Sequence, residues 1–134
     1  MKIGIVGSGA MGSGIAQVLA TVGNEVLLYD SNPLDVEKAG KNLESQFKKL
    51  AEKGKITFEE AETYFDKIRL SDKMSELKDS ELIIEAIVED LEIKKDLFQK
   101  LESLVSEDCI LATNTSSLSI ASIASACQKP ERVI

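Results

Sequence analysis

The stretch Gly7-Ser8-Gly9-Ala10-Met11-Gly12 constrains this chain more than any other. Glycines at G-x-G-x-x-G offsets recur by chance, so their setting decides what they mean. Ile3-Gly4-Ile5-Val6 runs straight into the first glycine and is short and β-branched, the pattern of a buried strand. Beyond the motif, Met11, Ile15, Val18, Leu19 and Val22 recur at helical spacing, which predicts a helix that buries this face. The glycines therefore fall at a strand-to-helix turn. Each has its own task there: Gly7 allows the tight turn, Gly9 lacks a Cβ and admits close approach from outside, and Gly12 lets the helix pack hard on the strand.

A helix N-terminus offers free N–H groups and a partial positive charge, which suits phosphate. The turn reads as a dinucleotide fingerprint, with the pyrophosphate over Gly7, Gly9, Ala10, Met11 and Gly12. Gly23-Asn24 stops the helix, and Glu25-Val26-Leu27-Leu28-Tyr29-Asp30 reads as a second buried strand ending in an acid. Asp30 stands about 20 residues beyond the glycines, where a carboxylate accepts hydrogen bonds from an adenosine ribose. It would repel a 2′-phosphate, and no arginine follows closely, so the expected cofactor is NAD rather than NADP. The plainer alternatives are a glycine turn that serves packing alone and an Asp30 that serves only the turn with Ser31-Asn32-Pro33.

Pro33 opens the next helix, capped by Ser31 or Asn32, with Val36, Ala39, Leu43, Phe47 and Leu50 inside and Gly54 at its end. Thr57 and Glu60 predict a capping box on a further helix that buries Phe58, Ala61 and Phe65. Two helices thus separate the second strand from the third, Ile68-Arg69-Leu70, where an ordinary crossover needs one. Lys48, Lys49, Lys53 and Lys55 gather near the tip of this hairpin. They read either as a solvated face paired with Glu44 and Glu52 or as a contact for a phosphorylated substrate.

A short helical stretch around Met74–Leu77 leads to a fourth strand and its exit, Glu81-Leu82-Ile83-Ile84-Glu85-Ala86-Ile87-Val88, nearly continuous in apolar residues as a parallel strand covered on both faces should be. Glu89, Asp90 and Lys94 lie just past its carboxyl end, where such sheets bind ligands. A helix burying Leu97, Phe98, Leu101 and Leu104 follows. Cys109–Thr113 is the fifth strand, and Asn114-Thr115-Ser116-Ser117 stands at its end, as ligand-facing hydroxyls or as plain helix caps. The next helix places Ile120, Ile123 and Ala124 inside. Val133-Ile134 looks like the start of a sixth strand.

The length of 134 residues suits one domain. A net charge of −7 argues against generic nucleic-acid binding. Cys109 and Cys127 lack metal-ligand or redox spacing, and no apolar run nears the roughly 20 residues of a membrane span. The first strand begins too early for a signal peptide, so the expected compartment is the cytoplasm. There is no histidine.

Together, Gly7–Ala16, Asp30, Ile84-Glu85-Ala86-Ile87-Val88-Glu89-Asp90 and Asn114-Thr115-Ser116-Ser117-Leu118 resemble the NAD-binding domain of the 3-hydroxyacyl-CoA dehydrogenases, and the 3-hydroxybutyryl-CoA enzymes of bacteria above all. The resemblance covers residues 1–134 and includes the helical hairpin. It implies an α/β fold: a Rossmann-type doubly wound, mainly parallel sheet with a helical hairpin inserted after the second strand. It also implies reversible hydride transfer between an (S)-3-hydroxyacyl-CoA, or acetoacetyl-CoA in reverse, and NAD.

By resemblance, Ile87, Val88, Glu89 and Lys94 line the cofactor, with Glu89 near the nicotinamide ribose. Ser116 lies between nicotinamide and substrate with Asn114 beside it, and these two are the implied catalytic residues. Ser45, Lys49 and Lys53 match the coenzyme A region, which turns the lysine cluster toward its substrate reading. The family's general base is a histidine, and its C-terminal helical domain completes the acyl pocket and the dimer contacts. Both are expected to lie outside these residues, leaving a chain that binds cofactor without turnover. The alternative is a stand-alone dinucleotide-binding or sensory module. A related dehydrogenase acting on a gulonate- or 6-phosphogluconate-type acid is a third possibility, against which the basic hairpin weighs.

Overall fold

The computed structural model describes residues 1–134. Five strands, β1 (Lys2–Val6), β2 (Glu25–Tyr29), β3 (Ile68–Ser71), β4 (Leu82–Glu85) and β5 (Ile110–Thr113), form one parallel sheet in the order β3-β2-β1-β4-β5. The order reverses at β1, which pairs with β2 on one side and β4 on the other. This is a Rossmann-type doubly wound sheet. The crevice at its switch point opens over the carboxyl ends of β1 and β4. Val133 forms a parallel bridge with Leu111, so the expected sixth strand begins where the sequence placed it.

Helix α1 (Ala10–Thr21) follows β1; α2 (Pro33–Glu52) and α3 (Phe58–Asp66) form the hairpin between β2 and β3; α4 (Leu91–Leu104) and α5 (Ile120–Ala124) follow β4 and β5. The local signals hold. Asn32 caps α2 with Pro33 at its first position, and Thr57 and Glu60 make the reciprocal capping box of α3. One apolar cluster, with Ala16, Ala20, Leu43, Phe47 and Ala61, packs α1 to α3 on the sheet; a second, with Leu97, Phe98, Leu101 and Ile123, packs α4 and α5.

Three expected faces are corrected. Helix α1 does not bury its bulky residues: Met11, Val18 and Val22 are 58%, 63% and 71% exposed, and the buried residues are Gly12, Ala16 and Ala20. The helix lies so close to the sheet that only small side chains fit directly between them; Ile15 and Leu19 pack half-buried against the core, and Met11, Val18 and Val22 are turned outward. Phe58 is exposed at the first position of α3, and the ring that packs against Phe47 is that of Tyr64, with centroids 6.0 Å apart. Ile120 is 43% exposed, because α5 is a single short turn whose first residue stops short of the core. Smaller shifts are that β2 ends at Tyr29, one residue before Asp30, and that Met74–Asp79 is a 3₁₀ helix.

Candidate functional site

The glycine turn is built as its residue types require. Gly7 has φ = +111°, and a Cβ there would meet the Ala86 carbonyl oxygen at 2.5 Å. A Cβ on Gly12 would lie 1.8 Å from the Gly7 carbonyl oxygen, so the first turn of α1 sits directly on the end of β1. A Cβ on Gly9 would meet nothing within 4 Å: the space in front of Gly9 is open.

Of the five α-helices, α2, α3, α4 and α5 are capped by the side chains of Asn32, Thr57, Asp90 and Ser119, whereas Gly9 gives α1 no side-chain cap. The N–H groups of Gly9, Ala10, Met11 and Gly12 find no acceptor in the protein. An uncapped helix start with an open approach is suited to an anionic ligand.

Asp30 stands beside this turn. Its Oδ2 accepts from the Ser8 N–H at 2.9 Å and the Ser8 hydroxyl at 2.8 Å, and its Oδ1 accepts from the Asn32 N–H. The carboxylate thus holds the glycine loop against the end of β2. A cavity of about 290 Å³ adjoins it, lined by Gly7, Tyr29, Asp30, Ile87, Ile93 and Leu97 among others. An apolar slot beside a carboxylate fits a flat base attached to a diol sugar. On the other side of the turn, a cavity of about 460 Å³ lies between Gly9, Ala10 and Ser13 and the α2 residues Lys38, Asn42 and Gln46. The largest cavity, about 650 Å³, opens at the amino ends of β1 to β3 among Lys2, Glu25, Asp66, Lys67 and Arg69, the opposite end of the sheet from the crevice.

Across the switch point, β4, α4 and β5 meet in a cluster of polar side chains. Glu85, the last residue of β4, is fully buried. Its Oε2 accepts from the Ile87 N–H at 2.8 Å and from the Lys94 ammonium at 2.6 Å, and its Oε1 accepts from the Thr113 hydroxyl. Lys94 is 1% exposed and reaches Glu89 Oε1 at 2.8 Å with the same nitrogen. Glu89 Oε2 accepts from the hydroxyls of Thr115 at 2.6 Å and Ser117 at 2.8 Å. The hydrogen bond from Lys94, then those from Thr115 and Ser117, hold the Glu89 carboxyl down at about 2, so it is ionised at neutral pH.

The sequence-derived site residues fall into three groups. Gly7, Gly9, Ala10, Met11, Gly12 and Asp30 form one wall of the crevice. Ile87, Val88 and Glu89, with the buried Lys94 behind them, form the other; Asn114 and Ser116 are exposed at the end of β5, near the hydroxyls that Glu89 holds. Ser45 and Lys49 are exposed one turn apart on α2, and Lys53, the residue at its C-terminal cap, follows exposed one turn further on. None of Lys48, Lys49, Lys53 or Lys55 forms an ion pair, so the expected pairing with Glu44 and Glu52 is not made. The sequence reading gave no role of their own to Glu85 or Thr113, and left Thr115 and Ser117 as either ligand-facing hydroxyls or helix caps. For Glu85 a signal existed: it is a lone acid in a nearly continuous apolar strand.

A doubly wound sheet with an uncapped glycine turn and an acid at the end of β2 defines a dinucleotide-binding domain. Residues 2–134 match the family model described as 3-hydroxyacyl-CoA dehydrogenase, NAD binding domain, and the chain belongs to that family. It is 44% identical over 134 residues to a 3-hydroxybutyryl-CoA dehydrogenase of Clostridioides difficile, covering 100% of this chain and 48% of that protein. It is 38% identical to the mitochondrial hydroxyacyl-coenzyme A dehydrogenase of Rattus norvegicus, covering 96% of this chain and 43% of that one. The crystal structure of a 3-hydroxybutyryl-CoA dehydrogenase from Escherichia coli K12 superposes with a TM-score of 0.96 at 37% identity, over 99% of this chain and 28% of that one. The chain spans about half the length of these curated relatives. No helix is long and apolar enough to cross a membrane.

Proposed function

We propose that this chain is the cofactor-binding part of an enzyme that moves hydride reversibly between an (S)-3-hydroxyacyl-CoA and NAD. The observation that carries the reading is the contrast among helix starts. Four α-helices carry a side-chain cap; α1 alone has none, so the N–H groups from Gly9 to Gly12 are all left open, with Asp30 beside them. The residues fit NAD. The N–H groups of Gly9 to Gly12 would hold the pyrophosphate, and the apolar slot of Ile87, Ile93 and Leu97 would take the adenine. Asp30 would accept from the adenosine ribose and Glu89 from the nicotinamide ribose. When bound, NAD supplies the hydride acceptor.

Ser116 and Asn114 stand exposed beyond β5, suited to donate hydrogen bonds to the oxygen of a substrate. Ser45, Lys49 and Lys53, without carboxylate partners, suit the phosphates of coenzyme A. No histidine is present in these residues to accept the proton of a 3-hydroxyl. General-base catalysis contributes about 10²–10⁴-fold, so this chain by itself binds cofactor and turns over negligibly.

The test is calorimetric titration with NADH and NADPH. The expected result is NADH binding with NADPH much weaker, because Asp30 repels a 2′-phosphate. Failure to bind either, in a chain whose amide NMR spectrum is dispersed, overturns the reading. Brisk acetoacetyl-CoA reduction by the same chain would overturn the claim that it is inactive alone.

A further inference from the structure

Two carboxylates share one buried ammonium behind the second wall of the crevice. Glu85 is fully enclosed, Lys94 is 1% exposed, and Glu89 is 44% exposed. An ammonium on a flexible four-carbon stem normally carries its charge out to water. Here it is held inside because it has an anion on each side. Glu85 in turn is held by three segments: the Ile87 N–H of the loop after β4, Lys94 of α4 and the Thr113 hydroxyl of β5. The Thr113 hydroxyl also accepts from the Thr115 N–H, which shapes the loop that carries Ser116.

The charges do not cancel. Two carboxylates face one ammonium, which leaves one negative charge in excess. The inner carboxylate has no outlet to water, whereas the Glu89 side chain is 44% exposed and its Oε2 holds only the hydroxyls of Thr115 and Ser117. A diol ligand offers the same kind of donor and could replace them.

We propose that Glu85 is a positioning residue that occupies the inward side of Lys94, so that Glu89 keeps an outward, anionic oxygen for ligand hydroxyls. The proposal rests on the reading of Glu89 as a ribose contact. With a neutral residue at position 85, the whole ammonium turns to Glu89, draws it inward and offsets the charge that makes it a strong acceptor. Hydrogen bonds to charged groups are stronger than neutral ones by about 1 kcal/mol, which corresponds to a loss of roughly fivefold in ligand affinity.

The experiment is a double-mutant cycle read by NADH calorimetry. Glu85→Gln, which keeps the volume and one acceptor, is expected to weaken NADH about fivefold in the parent and to add little in a Glu89→Gln background, because both changes remove one interaction. Equal weakening in both backgrounds would mean that Glu85 acts only on the structure, and would overturn the proposal. A second readout needs no ligand. The Lys94 ammonium should give a slowly exchanging ¹⁵Nζ signal in the parent that exchanges faster in Glu85→Gln. An unchanged signal also overturns the proposal. If the parent does not bind NADH, the cofactor reading fails while the Lys94 signal still decides whether Glu85 positions it.

Discussion

The two walls of the crevice are built on opposite plans. The β1–α1 wall is backbone left open: Gly9 faces empty space, and the N–H groups from Gly9 to Gly12 have no partner. The β4–β5 wall is side chain turned on itself: Glu85, Lys94 and Glu89 satisfy one another and draw in Thr113, Thr115 and Ser117. The N–H groups of the first wall are ready for a ligand and give up nothing when one arrives. The second must release hydroxyls from Glu89 before that carboxylate can serve a ligand. A rigid anion cradle faces an adjustable acceptor, and substitutions on the two sides should therefore fail in different ways.

The largest expected effect tests the saturated wall. Lys94→Met leaves Glu85 as a buried, unpaired carboxylate, and breaking such a pair from one side costs about 3–5 kcal/mol. Denaturant unfolding should show that loss; a midpoint within error of the parent would mean that the cluster is not a closed unit.

Next comes a pair of glycine substitutions on the open wall. Gly12→Ala drives a methyl against the Gly7 carbonyl and should destabilise the fold by about 1–3 kcal/mol as well as abolish NADH binding. Gly9→Ala meets nothing in the protein, so thermal unfolding should be unchanged while NADH binding is lost. Retained NADH binding by Gly9→Ala would show that the open space is not the ligand's.

Asp30→Ala removes a charged acceptor worth about 1.5–3 kcal/mol and should weaken NADH by roughly ten- to a hundredfold, with the gap to NADPH narrowed. Calorimetry on both nucleotides checks it, and equal NADH affinity in variant and parent contradicts the assignment.

A pH series reads the second wall from its surface. The Glu89 carboxyl is held at about 2 in the folded chain, below the 4.5 of a free group. Because the folded value is the lower one, the contribution of Glu89 is present above about 4.5 and is lost as pH falls toward 2. The stability difference between parent and Glu89→Gln should shrink across that window. Glu60 and Glu107 are also held low, by hydrogen bonds from the Thr57 backbone and from Lys129 respectively, and the difference between the two proteins cancels them.

The smallest effect on the fold is expected on α2. Replacing the exposed Lys48, Lys49 and Lys53 with Glu should leave stability within about 0.5 kcal/mol per site. Acetoacetyl-CoA binding, measured against NADH binding as a control, should weaken; no change would detach the hairpin from coenzyme A.

The sequence by itself determined whatever is decided between near neighbours. The Gly7–Gly12 contact of the turn, the Asn32–Pro33 start and the Thr57–Glu60 capping box rest on groups a few residues apart, whose contacts any fold containing them would preserve, and the strands were legible as short apolar runs. The placement of Asp30 followed as well, because one strand–helix–strand unit carries both it and the glycines. What only the tertiary structure decided depends on distance between segments. Helical spacing grouped Met11, Ile15, Val18 and Val22 correctly on one face. It could not say that α1 would approach the sheet closely enough to leave Met11, Val18 and Val22 outside, keep Ile15 half-buried and select Gly12, Ala16 and Ala20. The charge cluster is the same case. Glu85 is one acid in an apolar strand until α4 brings Lys94 beneath it and β5 brings Thr113 alongside, and no local pattern specifies the partners that make a buried carboxylate tenable.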